Sequence, residues 1–121
     1  MLDASNAVMD FSKLDGLIPA VAQDAGSSEV LMVGIMNQAA LDATRASGLA
    51  TFFSRSRQAL WIKGETSGNR LQVDRILVDC DHDTVLLMVR RLGAGNVCHT
   101  GERSCFFREL QVASSRVEDM R

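Results

Sequence analysis

The chain of 121 residues holds one proline, three cysteines and two histidines. No apolar run approaches the roughly 20 residues that a membrane-spanning helix needs, which excludes a helical membrane protein. Met1-Leu2-Asp3-Ala4-Ser5 has neither the basic start nor the apolar stretch of a secretory signal, so a cytoplasmic protein is expected. A basic excess is also missing. Lysine plus arginine is 13 against 15 acidic residues, a net charge of −2, which argues against a dedicated nucleic-acid binder. No repeat, low-complexity tract or linker breaks the chain, so residues 1–121 read as one compact domain with peripheral ends. An apolar content of 46% supplies core enough for that size without disulfide staples.

Three thiols cannot all pair within one chain. In a reducing compartment, clustered thiols point to metal binding or catalysis, although a single free cysteine is also a common core residue. Cys80, Cys98 and Cys105 share the last third of the chain, and His82 and His99 lie beside them.

The expected fold class is α+β, mainly antiparallel β. Gly16 to Asp24 reads as an extended stretch entering a strand, followed by a turn through Ser28, and Glu29 to Ile35 reads as a buried strand. Asn37 is placed to cap a helix running to Ser47, with Gly48 as its stop. Thr51 to Ser54 and Gln58 to Lys63 are short strands, and Gly64 to Asn69 is a loop. Leu71 to Asp79 and Thr84 to Arg91 form a hairpin around an acidic connection. After the Gly93 to Asn96 loop, Val97 to Thr100 leads to a final strand at Ser104 to Phe107. The tail from Gln111 to Arg121 is expected to fray or to end in a helix.

Three constellations carry chemistry. In an extended Asp79-Cys80-Asp81-His82-Asp83, the three carboxylates would share one face and the thiol and imidazole the other. Carboxylates suit magnesium, calcium or manganese, whereas thiolate and imidazole suit zinc. An EF-hand is excluded, because the sixth position from Asp79 is Thr84 instead of glycine and the twelfth is Arg90 instead of glutamate. A merely solvated acidic turn is the plain alternative. Cys98 and Cys105 are too far apart for a Cys-x-x-Cys knuckle, but Gly101 lets the residues between them loop out. With Cys80 they make three thiolates. A fourth position left to water gives a catalytic site; filled by His99 or His82, it gives a closed structural one. His99, adjacent to a ligand, is the candidate proton acceptor, with ligand orientation as its simpler role.

The third constellation is Ser54-Arg55-Ser56-Arg57 followed by Trp61-Ile62-Lys63-Gly64-Glu65-Thr66-Ser67-Gly68-Asn69. Arg55 and Arg57, projecting together from a strand, and Lys63 can hold phosphate, with Thr66, Ser67 and Gly68 as further donors. The spacing matches neither a Walker loop nor a dinucleotide fingerprint. A solvated charged strand, a flexible turn and a core Trp61 would account for the same residues.

Taken in order, Gly16-Leu17-Ile18-Pro19-Ala20-Val21-Ala22-Gln23-Asp24, Met36-Asn37, Thr51-Phe52-x-Ser54-Arg55-Ser56-Arg57, Trp61-x-Lys63 to Asn69, Asp79-Cys80-Asp81-x-Asp83 and Cys98-His99-Thr100-Gly101-x-x-Ser104-Cys105-Phe106 resemble the phosphoribosyl-AMP cyclohydrolase family. The resemblance covers about Phe11 to Phe107. Departures are Gly34-Ile35, where an aromatic commonly precedes Met-Asn, together with Phe53, Ala59 and Ile62. The resemblance implies a cytoplasmic cyclic-amidine hydrolase of histidine biosynthesis. Its reaction opens the purine ring of 1-(5-phosphoribosyl)-AMP at the N1–C6 bond with zinc-activated water. It implies zinc on Cys80, Cys98 and Cys105 and magnesium on Asp79, Asp81 and Asp83. The pocket residues it implies for substrate are Arg55, Arg57, Trp61, Lys63, Glu65, Thr66, Ser67, Gly68 and Asn69, with His99 as the catalytic candidate. It further implies an intertwined homodimer whose zinc site is shared, Cys80 coming from one subunit and Cys98 and Cys105 from the other. The competing class is a non-enzymatic zinc-stapled binding module, which requires four protein ligands. A nucleoside deaminase is set aside, since neither His-x-Glu nor Pro-Cys-x-x-Cys occurs.

Overall fold

A computed structural model describes residues 8–113, which form an α+β unit of six strands and one helix. The strands are β1 (Ile18–Asp24), β2 (Val30–Met36), β3 (Thr51–Ser54), β4 (Ala59–Ile62), β5 (Leu71–Val78) and β6 (Val85–Arg91), and α1 spans Gln38–Ser47. The main sheet has the order β2-β1-β6-β5, and β3 and β4 form a separate hairpin.

Neighbours in sequence pair antiparallel, as expected for β1 with β2 and for β5 with β6. The centre of the sheet is different. β1 lies parallel to β6, from Ala20 opposite Val85 to Asp24 opposite Val89. Three of the four strand pairings are antiparallel, as expected, and the parallel central pair is invisible beforehand because alternating hydrophobicity carries no direction of pairing.

Local chemistry sets the helix. The Asn37 side chain accepts a hydrogen bond from the Ala40 N–H at 2.9 Å, and Gly48, at φ 77°, donates its N–H to the Thr44 carbonyl. α1 is tied to the hairpin by Thr44, whose buried hydroxyl donates to the Ala40 carbonyl and accepts from the Thr51 N–H. The Ala50 N–H donates to Leu71 C=O and the Lys63 N–H to Ala50 C=O, which join the hairpin to the main sheet.

Ile18, Ala20 and Ala22 of β1, Val85, Leu87 and Val89 of β6, and Leu31, Met36 and Leu71 converge on Phe52 to make the core. Gly34 permits that convergence, because a Cβ there would lie 2.5 Å from the Phe52 ring. The opposite face of the sheet is also apolar. Val33, Val21, Leu86 and Leu77 stand in register across all four strands, and Val33 is 50% exposed. A sheet face meant for water carries polar residues, and this row does not.

Three further expectations change. Ser104 to Phe107 is no strand: its tie to β2 is the Cys105 N–H donated to Leu31 C=O, with Ser104 Oγ on Val30 C=O. Residues 55–58 form a turn in which Gln58 has φ 49°, so Arg55 and Arg57 do not project from a strand. The acidic segment is likewise a turn, closed by the Asp79 N–H on Thr84 C=O and the His82 N–H on Asp79 C=O, with His82 at φ 62°. Of the expected tail, Gln111 to Arg121, residues 111–113 are in neither helix nor strand, and the rest lie outside the described residues.

Candidate active site

The β3–β4 hairpin with the loop that follows it, and the chain following β6, face each other across a cavity of about 460 Å³. The first wall supplies Arg57, Trp61, Lys63, Glu65, Thr66, Ser67 and Asn69, and the second supplies Asn96, Cys98 and His99. Two loops of this length stay in place only if their backbones are paired. Asn69 Oδ1 accepts the Ala94 N–H at 2.9 Å, and the Leu92 N–H donates to Arg70 C=O. Gly93 is required at this seam: at φ 66° it packs on the other loop, and a Cβ would come within 2.6 Å of the Gly68 carbonyl oxygen. Asn69 therefore holds the two walls together as well as lining the space between them.

Trp61 resolves the choice between core and platform by serving as both. Its ring packs on Phe52 at 5.1 Å between centroids, and it also lines the cavity, where Lys63 Nζ lies 6.0 Å from its centroid. Arg55 and Gly68 do not line the cavity, whereas Gly101, expected only as the hinge between the cysteines, does, and so do Asn96 and Val97, which no sequence motif marked as pocket residues. Their signal was present. Asn96 follows a Gly-Ala-Gly loop two residues before Cys98, where a polar side chain stands close to the thiol motif.

The thiol pair sits on the second wall. The Val97 and Cys98 N–H groups donate to Arg103 and Glu102 C=O, folding residues 97–103 back on themselves so that Cys105 returns beside Cys98. Arg103 grips Glu29 with two hydrogen bonds, at 2.8 and 3.2 Å. The Thr100 hydroxyl donates to Cys98 Sγ at 3.1 Å and, with the Thr100 backbone, lowers the Cys98 pKa. Burial raises that of Cys105, and the neighbouring Cys98 adds to it. Lys63 acts in the opposite sense, favouring the thiolate at both cysteines. A low-pKa thiol touching a second thiol is the donor chemistry of a soft metal site.

The third cysteine is not there. Cys80 is exposed in the β5–β6 turn, at the start of β6, whereas the thiol pair docks on β2 near Leu31. β5 and β2 are the two edges of the sheet, about 14 Å apart by three strand spacings. His82, in the same turn, places its Nδ1 3.2 Å from Val8 C=O. Among the described residues, no single-chain group of three ligand atoms includes the thiols.

One such group does exist. Ligand atoms of Asp79, Asp81 and Asp83 lie within 4.8 Å of one another. The turn, and not strand alternation, makes them converge: Asp79 Oδ1 accepts the N–H groups of Asp83 and Thr84. Lys13 Nζ lies 3.0 Å from Asp81 Oδ2 and 3.0 Å from Asp83 Oδ2. The ammonium and the hydrogen bond to Asp79 hold the Asp83 carboxyl down to about 2. A cation already resides between these oxygens, so the donor set fits a hard divalent ion.

The model of phosphoribosyl-AMP cyclohydrolase matches residues 32–107, more than half of the chain. A relative from Solibacter usitatus named phosphoribosyl-AMP cyclohydrolase is 55% identical over 92% of this chain and 87% of its own length. The chain belongs to the phosphoribosyl-AMP cyclohydrolase family. A second relative of that name, from Desulforapulum autotrophicum, is 58% identical over 84% of this chain and 81% of its own. The histidine biosynthesis bifunctional protein HisIE of Vibrio parahaemolyticus is 50% identical over 90% of this chain but only 51% of its own length. The family match contains every motif from Met36-Asn37 to Phe106, and with them both cavity walls, the thiol pair and the acidic turn.

Proposed function

We propose that this chain hydrolyses 1-(5-phosphoribosyl)-AMP at the N1–C6 bond of its purine ring, in histidine biosynthesis. The observation that carries the reading is the cavity itself, which brings the Trp61 to Asn69 motif and the Cys98-His99 motif onto facing walls. Arg57 and Lys63 receive the two phosphate groups, and the exposed edge of Trp61 receives a base. Substitution at N1 leaves C6 electrophilic. Water adds there, and His99, beside Cys98 on the cavity wall, accepts its proton; the C6–N1 bond then breaks, the proton passes to N1, and C6 is left as the carboxamide. Cys98, Cys105 and a third thiolate from Cys80 would hold zinc, which supplies the acidity that makes water nucleophilic near neutral pH. Asp79, Asp81 and Asp83 would hold magnesium.

Because Cys80 is remote from the thiol pair of its own chain, the zinc reading requires a homodimer in which the partner subunit's Cys80 completes the site. The apolar row Val33, Val21, Leu86 and Leu77 supports this. It adjoins a groove lined by Val21, Leu77, Val78, Asp79, Thr84, Val85 and Leu86, so a second copy seated there lies next to the acidic turn and Cys80. The same remoteness disfavours a zinc staple closed by four ligands of one chain.

The purified protein, supplied with zinc and magnesium, should open the ring of synthetic 1-(5-phosphoribosyl)-AMP, followed by ultraviolet absorbance and mass. Absence of the carboxamide product from metal-replete protein would end the proposal. His99→Ala should lose roughly 10²-fold in turnover and change the pH–rate profile. Co-expressed Cys80→Ala and Cys105→Ala chains should regain about a quarter of wild-type activity, because one of the two sites in each mixed dimer is intact.

A further inference from the structure

The N-terminal segment crosses the acidic turn and is fastened to it at three points. The Asp10 N–H donates to His82 C=O at 2.6 Å, His82 Nδ1 meets Val8 C=O at 3.2 Å, and Lys13 Nζ bridges Asp81 and Asp83. Lys13 is 68 and 70 residues distant from its two partners, so tertiary folding and not local sequence brings it there. Both of its contacts are to Oδ2 atoms of the carboxylates that converge in the turn. Asp79 is committed differently, to backbone N–H groups, and Asp10, which also faces Lys13 and Asp83, is committed to Ser12.

The ammonium and a divalent ion need the same oxygens, and two cations at contact distance repel strongly. The lysine pair is half open to water, with 45% of the Lys13 side chain exposed, so screening keeps its hold modest. We infer that Lys13 is a built-in counter-ion of the acidic turn, and that a divalent cation binds Asp81 and Asp83 by exchange with its ammonium, which sets the apparent affinity. This rests on reading the turn as the magnesium site. The lysine keeps three clustered carboxylates from repelling one another before metal arrives. It also lowers apparent affinity by the fraction of molecules whose turn it fills. Magnesium entry then loosens the N-terminal segment from the turn.

The test uses the full-length, zinc-loaded protein and Mn²⁺ alone as the divalent probe, with binding read by electron paramagnetic resonance. Lys13→Met should bind Mn²⁺ about tenfold more tightly than wild type, the change expected if the ammonium fills about nine-tenths of the sites. Lys13→Arg should stay close to wild type. Equal or weaker binding by Lys13→Met overturns the exchange. A second measurement needs no substitution in the protein observed. The chain has only two lysines, Lys13 and Lys63. In ¹⁵N spectra of the ammonium groups, the Lys13 signal should move to the free-lysine position as Mg²⁺ is added, with the midpoint of metal binding. A Lys13 signal unmoved at saturation also overturns it. Failure of the site reading looks different: Mn²⁺ binding that Asp83→Asn leaves unchanged removes the metal from the turn altogether.

Discussion

Cys98 and Cys105 meet because a loop folds back on its own backbone and is pinned to β2 through Cys105 and to Glu29, just before β2, through Arg103. Asp79, Asp81 and Asp83 meet because a tight turn leaves their side chains nowhere else to point. The first cluster offers the polarisable sulfurs of Cys98 and Cys105 beside a cavity, stands apart from Cys80, and has one thiol whose pKa is lowered. The second offers oxygen, has all three ligands within five residues, and is partly neutralised by a lysine. β6 joins them, beginning at the turn and ending at the loop that leads into the cavity. A thiol has a neutral form available, so two thiols can meet without a cation between them. A hard site assembled from three carboxylates has no neutral resting form near pH 7 and needs a cation from the start.

The largest effects should come from taking sulfur away. Cys98→Ser or Cys105→Ser should abolish tight zinc binding and cost activity by more than about 100-fold, measured by metal analysis beside turnover. Full zinc retention in both variants would show that the thiol pair is not the zinc site. Asp83→Asn should lower activity while zinc content stays at the wild-type level, which separates the two clusters. Loss of zinc together with activity would mean that they are one site.

How much of this contrast could be read beforehand depends on how local its causes are. Asn37 and Gly48 delimit α1 because capping is decided within four residues, and the structure keeps both ends. The acidic residues do converge, and what brings them together is a left-handed His82 and an Asp79 hydrogen-bonded to the turn, instead of alternation along a strand. Ser104 to Phe107 is β-prone, but β2 offers it little more than one backbone carbonyl, at Leu31, so propensity lost to the absence of a partner. Lys13 carries no motif at all. Its position opposite Asp81 and Asp83 is fixed by tertiary packing across the turn, which spacing cannot encode.

Acid should take the two clusters apart in order. The Asp83 carboxyl titrates at about 2 instead of its ordinary 3.8, so the stability it contributes is complete above about pH 4 and is lost as pH falls through about 2. Thiolate ligands protonate well above that range. On lowering the pH, zinc should therefore leave while the Lys13 pair persists, as followed by a zinc-sensitive dye and by the Lys13 nitrogen signal. Lys13→Met should remove the low-pH part of the stability curve and leave the zinc release unchanged.

The smallest effect sharpens the comparison from the cavity side alone. Gly34→Ala places a methyl group against Phe52, on which Trp61 packs. It should destabilise the fold by about 1–3 kcal/mol in urea unfolding. Substrate KM should rise, while Mn²⁺ affinity at the turn stays as in wild type.

The parallel contact between β1 and β6 also dictates when this protein can be assembled. Ala20 must wait for Val85, so during synthesis the middle of the sheet stays open until nearly three quarters of the chain has emerged. Until then the β1–β2 hairpin presents an unpaired edge and two greasy faces to its surroundings. Nascent chains halted before residue 85 should therefore aggregate or recruit chaperones, while those that expose residue 91 close the sheet in one step. The carboxylates of the acidic turn and the sulfurs of the thiol wall all lie beyond Val78, so the ribosome delivers both clusters at about the moment when there is a scaffold to receive them.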